Sequence, residues 1–183
     1  MRIIAGRFRG RRLASVGKGD AGAHLRPTAD RVRESLFNVL AGYGACEGAR
    51  VLDLFAGTGA LGLEALSRGA AHVTFVESGR VAQGLIGRNV DLTGSAAQTV
   101  LLRCDATRPG HNPGEPFDLV FLDPPYGKGL GERALSAAKE GGWLAPGALA
   151  VCEENAAMPP PPGCTLLDQR RYGDTWVTIM AYP

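Results

Sequence analysis

The stretch VLDLFAGTGALG, residues 51 to 62, decides the fold. Val51 to Phe55 form an apolar run of strand length, and the glycines that follow open GALGLEALSRG, residues 59 to 69, which reads as a helix closed by Gly69. A strand, a glycine turn and a helix in immediate succession make one βα unit, and the unit recurs downstream. HVTFVE (72–77) is a second strand and SGRVAQGLIGRNVDLTG (78–94) a second helix, while TVLLR (99–103) and FDLVFL (117–122) supply the third and fourth strands. A helix over 130–140, a strand over 147–153 and two closing strands at 165–171 and 175–181 complete the series. Alternation of this kind predicts an α/β fold, a mostly parallel sheet with helices on both faces.

Upstream of the alternation the character of the chain changes. Residues 1–13 alternate weakly around Gly6 and Gly10 and read as a short arginine-rich hairpin. GKGDAGAH (17–24) follows as a flexible connector. RPTADRVRESLFNVL then has helical spacing, with Thr28 as cap, Asp30 in the first turn, Val32, Leu36, Val39 and Leu40 on the buried face and Arg31, Glu34 and Asn38 outside. The proline run MPPPPG (158–163) reads as a stiff connector before the last hairpin.

Composition narrows the functional classes. The 183 residues are 45% hydrophobic and 21% charged, which suits one domain with a sizeable core. With no apolar run of about 18 residues and no signal-like leader, a cytoplasmic protein without membrane contact is expected. Cys46, Cys104, Cys152 and Cys164 lie far apart, as do His24, His72 and His111, so neither a disulfide framework nor a metal site is expected. The formal charge of +2 hides an asymmetry: residues 1–33 hold nine Lys or Arg against Asp20 and Asp30, a balance of +7, and the rest carries −5. A basic arm on a mildly acidic body suits a polyanionic partner touched at one end.

In an open parallel sheet the ligand sits beyond the carboxyl ends of the strands. Gly57, Gly59 and Gly62 match a GxGxxG turn, and Glu77, 20 residues after Gly57, could hold a ribose diol, so a nicotinamide dinucleotide is one reading. Asp53 argues against it, because a carboxylate at the mouth of the turn would repel the pyrophosphate that a helix N-terminus otherwise attracts. S-adenosylmethionine carries a sulfonium and an ammonium and no phosphate, so an acidic turn suits it. Glu77 would then accept from the ribose, and Asp105, with Ala106 beside it, from the adenine amino group.

The fourth strand delivers Asp123-Pro124-Pro125-Tyr126 to the same edge. Proline cannot donate to a ladder, so the pair stops the strand and stiffens the backbone where Asp123 emerges. The Asp123 carboxylate and the Pro124 carbonyl can each accept one N–H of an exocyclic amino group, drawing its delocalised lone pair toward the methyl donor. Tyr126 can stack on the base, a contact worth about 1 to 3 kcal/mol. Spacing alone does not distinguish guanine from adenine.

DPPY after the fourth strand resembles the amino-methyltransferase signature. RIIAGRFRGRRL, RPTADRVRESLFNVL, the glycine turn, FVES and DPPYG in that order resemble the RsmD family of bacterial small-subunit ribosomal RNA guanine-N2 methyltransferases. The resemblance implies a Rossmann-like class I S-adenosylmethionine-dependent methyltransferase domain over 26–183 with a seven-stranded sheet, after a basic hairpin and connector over 1–25. It further implies one guanine of 16S ribosomal RNA in the small subunit as target, S-adenosylhomocysteine as product, and a monomer. The segment before the glycine turn would close over the donor, bringing Phe37 and Asn38 near its methionine end, with Thr28, Arg31 and Glu34 facing the pocket or substrate. Arg2, Arg7, Arg9, Arg11 and Arg12 would then contact phosphates without reading sequence. Other readings are an adenine-N6 methyltransferase acting on DNA, a glutamine methyltransferase of release factors, and an RNA-binding assembly factor without turnover.

Overall fold

The computed structural model describes residues 1–15 and 30–183. Seven strands, β1 (Arg50–Leu54), β2 (His72–Val76), β3 (Thr99–Leu102), β4 (Phe117–Leu122), β5 (Leu144–Glu154), β6 (Thr165–Tyr172) and β7 (Thr175–Ala181), form one sheet in the order β3-β2-β1-β4-β5-β7-β6. The pairings from β3 across to β5 are parallel, and β7 runs antiparallel to both β5 and β6. The chain builds outward from β1 to β3, then returns to start again at β4, so the order reverses between β1 and β4. A crevice opens at such a switch point, beyond the carboxyl ends of the strands. β5 begins at Leu144 rather than near 147, and a shift of register between Phe117 and Leu119 on β4 absorbs the difference.

Alternate residues of each strand serve opposite faces. Val51, Phe75, Leu119, Phe121, Val151 and Ile179 pack under α1 (Asp30–Gly42), α2 (Ala60–Ser67) and α3 (Arg80–Thr93). Leu52, Leu54, Val76, Val120, Leu122 and Met180 pack against α4 (Leu130–Glu140). Both faces of the sheet are therefore covered, as the near-continuous apolar strands require. Among the described residues no helix is long and apolar enough to cross a membrane.

Two local features set up the site. The glycine turn ends in Gly59, whose left-handed conformation (φ 76°) caps α2 without a side chain. Gly62 permits the helix to lie on the sheet, since a Cβ there would come within 2.6 Å of Phe75 and 2.7 Å of Val73.

α1 differs from its sequence expectation. The connector at 17–24 and Thr28 lie outside the described residues, while Asp30 stands in the first turn as expected. Within the helix the buried stripe is Arg33, Leu36, Phe37 and Leu40, while Val32 and Val39 are only half-buried. The stripe still has helical spacing but is centred elsewhere, because Arg33 is accepted into it. Its Nη2 donates to the Arg2 carbonyl (2.6 Å) and to Asp30 Oδ1 (2.7 Å), and burial still holds its guanidinium below the ordinary arginine range.

The N-terminal hairpin forms with one antiparallel bridge, Arg2 to Arg12, reinforced by the Ile3 amide donating to the Arg11 carbonyl at 2.9 Å. Ile3 and Leu13 belong to the main core. Glu64 on α2, wholly buried, accepts the amides of Ile4 (2.7 Å) and Ala5 (3.1 Å) and the Arg68 guanidinium (2.8 Å).

Candidate active site

The carboxyl ends of β1, β2, β3, β4 and β5 reach one edge of the sheet, and the β6–β7 turn comes up beside them. After β1 the backbone turns sharply, with Phe55 at φ 61° and Gly57 at φ 58°. Left-handed geometry at a phenylalanine is uncommon and concentrates at functional sites. Glu77, just past β2, braces this turn: Oε2 accepts the Gly57 amide (2.9 Å) and Oε1 the Gly79 amide (2.7 Å). Its half-buried carboxylate keeps lone pairs for a further donor.

Asp105, after β3, is exposed, and its Oδ1 accepts both the amide and the hydroxyl of Thr107 at 2.8 Å. Those bonds hold its carboxyl below the ordinary range. Oδ2 carries no protein hydrogen bond among the described residues. Ala106 is buried and adds to the apolar floor beneath it.

Asp53 departs from the sequence expectation. It lies within β1 at 1% exposure, and its Oδ2 accepts the Gly62 amide in the first turn of α2 at 2.9 Å. Burial pushes its carboxyl up to about 8 against the pull of that bond, with Glu77 adding repulsion. At neutral pH it is mostly protonated, so its predicted repulsion of phosphate from the turn mouth is weak. The residue supports the helix that carries the turn, one layer below the surface.

Asp123 follows β4, where Leu122 pairs with Leu54 on β1 and Cys152 on β5. One residue further along each strand, Asp123 and Glu153 are neighbours on the same face. Burial first, then the Glu153, Asp53 and Glu154 carboxylates, push the Asp123 carboxyl well above the ordinary aspartate range. Several acids in a region of low solvation make this edge a poor place for anions and a favourable one for a cation.

Pro124 is buried and Pro125 exposed, and the turn they stiffen aims Tyr126 back at the sheet. The Tyr126 hydroxyl donates to Glu153 Oε1 at 2.8 Å and meets Thr175 Oγ1 at 3.0 Å. Gly127 is held by the Glu154 carboxylate, 3.2 Å and 3.3 Å from its amide. Glu153 is absent from the sequence-predicted set. The rule that selected Glu77 and Asp105, an acid at a strand end, applies equally to AVCEEN at the end of β5.

Other expected residues lie elsewhere. Phe37 is wholly buried, its ring 5.6 Å from Phe121 and 5.0 Å beneath the Arg68 guanidinium, so packing consumes it. Asn38 is exposed and lines a shallow groove with Ser35, Tyr43, Asp168 and Arg170 at the β6 border of the sheet. Neither reaches the acidic edge in this conformation. Arg31 and Glu34 are exposed on α1.

The hairpin arginines divide. Arg7 lies 4.5 Å over the Phe8 ring and donates to Gln98 Oε1 at 2.5 Å, and Arg11 donates to the Leu92 carbonyl. Gln98 and Leu92 precede β3, so this part of the hairpin lies toward the edge opposite the acids. Arg2 stands 4.0 Å from Asp30, and Arg9 and Arg12 are exposed. Among the described residues no group of three or more His, Cys, Asp or Glu could hold a metal ion.

This sheet order, with a glycine turn after the first strand and an acid after the second, is the fold of the class I S-adenosylmethionine-dependent methyltransferases. The family described as "Conserved hypothetical protein 95" matches residues 1–181, and the chain belongs to that family, the RsmD family. "Ribosomal RNA small subunit methyltransferase D" of Haemophilus influenzae is 39% identical over 180 residues, spanning 94% of this chain and 89% of its own. Its Escherichia coli K12 namesake is 44% identical over 154 residues, 84% of this chain and 74% of that one. The solved structure of Escherichia coli yhhF, provisionally classed as a methyltransferase, superposes with a TM-score of 0.83 at 37% identity, covering 100% of this chain and 97% of that one.

Proposed function

We propose that the protein methylates the exocyclic N2 of one guanine of 16S ribosomal RNA, presented on the small ribosomal subunit, and works as a cytoplasmic monomer. The observation that carries this reading is the rigid Asp123-to-Tyr126 turn, fixed to β5 and β7 through Glu153 and Thr175, on the same edge as the glycine turn. The relatives' printed name supports ribosomal RNA as substrate.

S-adenosylmethionine bound at the glycine turn supplies an electrophilic methyl group and leaves as S-adenosylhomocysteine. The raised carboxyls of Asp53 and Asp123 fit such a cation, because a positive charge at this edge offsets part of the burial cost and carboxylate repulsion and favours their ionised forms. Gly57 and Gly59 let the donor approach the backbone, Glu77 accepts from its ribose hydroxyls, and Asp105 and Ala106 frame its adenine.

Asp123 and the Pro124 carbonyl accept the two N–H bonds of the guanine amino group. That arrangement turns the nitrogen lone pair toward the methyl carbon and stabilises the positive charge that develops on nitrogen. Tyr126 holds the base by stacking, and fixed alignment of donor and acceptor lowers the barrier further. The guanine has to be unstacked, or already in a loop, to reach this edge. Arg2, Arg12 and Arg31 are exposed to contact phosphates, while Arg7, Arg9 and Arg11, at the hairpin tip, extend the basic surface away from the acids.

The test is transfer of labelled methyl to small subunits lacking the modification, with naked 16S RNA and duplex DNA alongside, followed by nucleoside analysis. N2-methylguanosine from the subunits is the expected product. Label on DNA adenine alone would overturn the substrate, and no label on any of them would overturn the activity.

A further inference from the structure

Glu153 is a buried carboxylate whose part in the reaction outlined above is only to anchor the Tyr126 turn. It lies on β5, 7% exposed, one residue beyond the last β4–β5 pair as Asp123 is on the other strand, and it accepts the Tyr126 hydroxyl at 2.8 Å. A buried acid beside another acid opposes folding unless something is gained by it. A glutamine could hold the tyrosine equally well, through its carbonyl, without placing a second negative charge beside Asp123.

We infer that Glu153 is a positioning residue for methyl transfer: one carboxylate holds the Tyr126 ring and stands beside the Asp123 side chain that faces the reacting amino group. The inference rests on the proposed amino-group methylation. As the N–C bond forms, the C–S electron pair stays with sulfur and the nitrogen becomes cationic. The nitrogen must then lose a proton, and the N–H electron pair returns to it as Asp123 takes that proton and becomes a neutral carboxyl. An aspartate of ordinary acidity accepts such a proton poorly, and the Glu153 charge makes acceptance more favourable.

The groups facing Asp123 are Asp53 from β1, Glu153 and Glu154 from β5, and Tyr126 from its own turn, whose phenol is itself raised by burial. Glu154 is engaged by the Gly127 amide, and Asp53 by the Gly62 amide. Glu153 alone among them touches Tyr126 as well, which lets it coordinate the base-holding ring with the proton acceptor. Burial is the largest cause of the raised Asp123 carboxyl, and Glu153 comes next, ahead of Asp53 and Glu154.

The test compares Glu153→Gln, Glu153→Asp and Tyr126→Phe with the full-length protein. Carboxyl-carbon NMR follows the Asp123 titration in the ligand-free chain, and steady-state methylation of small subunits gives kcat and the donor KM against pH. In Glu153→Gln the Asp123 midpoint and the acid limb of kcat should both move to lower pH, with the donor KM unchanged. Glu153→Asp, which keeps the charge but falls short of the hydroxyl, should keep the wild-type midpoint while kcat falls, by up to about 100-fold if the ring is displaced by an ångström. An Asp123 midpoint unmoved in folded Glu153→Gln would overturn the tuning role. If that variant does not fold, Tyr126→Phe decides: an unchanged kcat would overturn the positioning role. Failure of the wild type to methylate guanine would sink the proposed function instead, and the titration would still report on Glu153.

Discussion

Replacing Asp53 with asparagine should remove much of the pH dependence of stability between about pH 4 and pH 8. The folded carboxyl titrates near 8 because it is buried, whereas an unfolded aspartate titrates near 3.8. Between those values the folded chain keeps a proton that the unfolded chain has released. Rising pH therefore favours unfolding, and the loss levels off above pH 8. At about 1.4 kcal/mol per unit, Asp53 costs the fold about 3 kcal/mol between pH 5 and 7, and roughly 5 to 6 kcal/mol over the whole window. Asparagine can still accept the Gly62 amide through Oδ1, and its buried NH2 adds a pH-independent cost of about 1 to 3 kcal/mol. Urea unfolding of the ligand-free protein at pH 5, 6, 7 and 8 should show the variant gaining on the wild type by about 3 kcal/mol from pH 5 to 7. Parallel stability curves would refute the reasoning. A cationic donor favours the ionised carboxylate, so stabilisation by S-adenosylmethionine should grow with pH in the wild type and lose that growth in Asp53→Asn.

Asp123→Ala should abolish methyl transfer while calorimetry still detects donor binding, since Gly57, Glu77 and Asp105 remain. Gly62→Ala should lower stability by about 1 to 3 kcal/mol, read as a fall in Tm, because its new Cβ meets Phe75 and Val73 at 2.6 and 2.7 Å. Replacing Arg7, Arg9 and Arg11 together with alanine should weaken RNA binding and reduce its salt slope, and an unchanged slope would remove these residues from the phosphate contacts.

The α/β order and the glycine turn are legible in the sequence because both depend on short-range chemistry: apolar runs of strand length, and glycines where φ must be positive. Asp123 and Tyr126 are legible for the same reason, since two prolines mark the turn that carries them. Glu153 becomes legible only once Leu122 is known to pair with Cys152, because its importance comes from a neighbour 30 positions away. Asp53 shows the opposite failure. Its place beside the glycines is plain, but its depth is not, and depth determines whether it acts as a charge or as a helix support. Arg33 was hidden by its own chemistry: an arginine at a core position contradicts the apolar pattern unless the Arg2 carbonyl and Asp30 are known to receive it.

The grip of Glu64 on the first residues has a practical consequence for anyone cutting the chain. A truncated chain starting beyond Leu13 would strip two amides from a wholly buried carboxylate and open a hole where Ile3 sat. Loss of RNA affinity in such a truncation would then report collapse as readily as a missing contact. The basic surface can be interrogated cleanly only by changing arginine heads, with the backbone that carries them left in place.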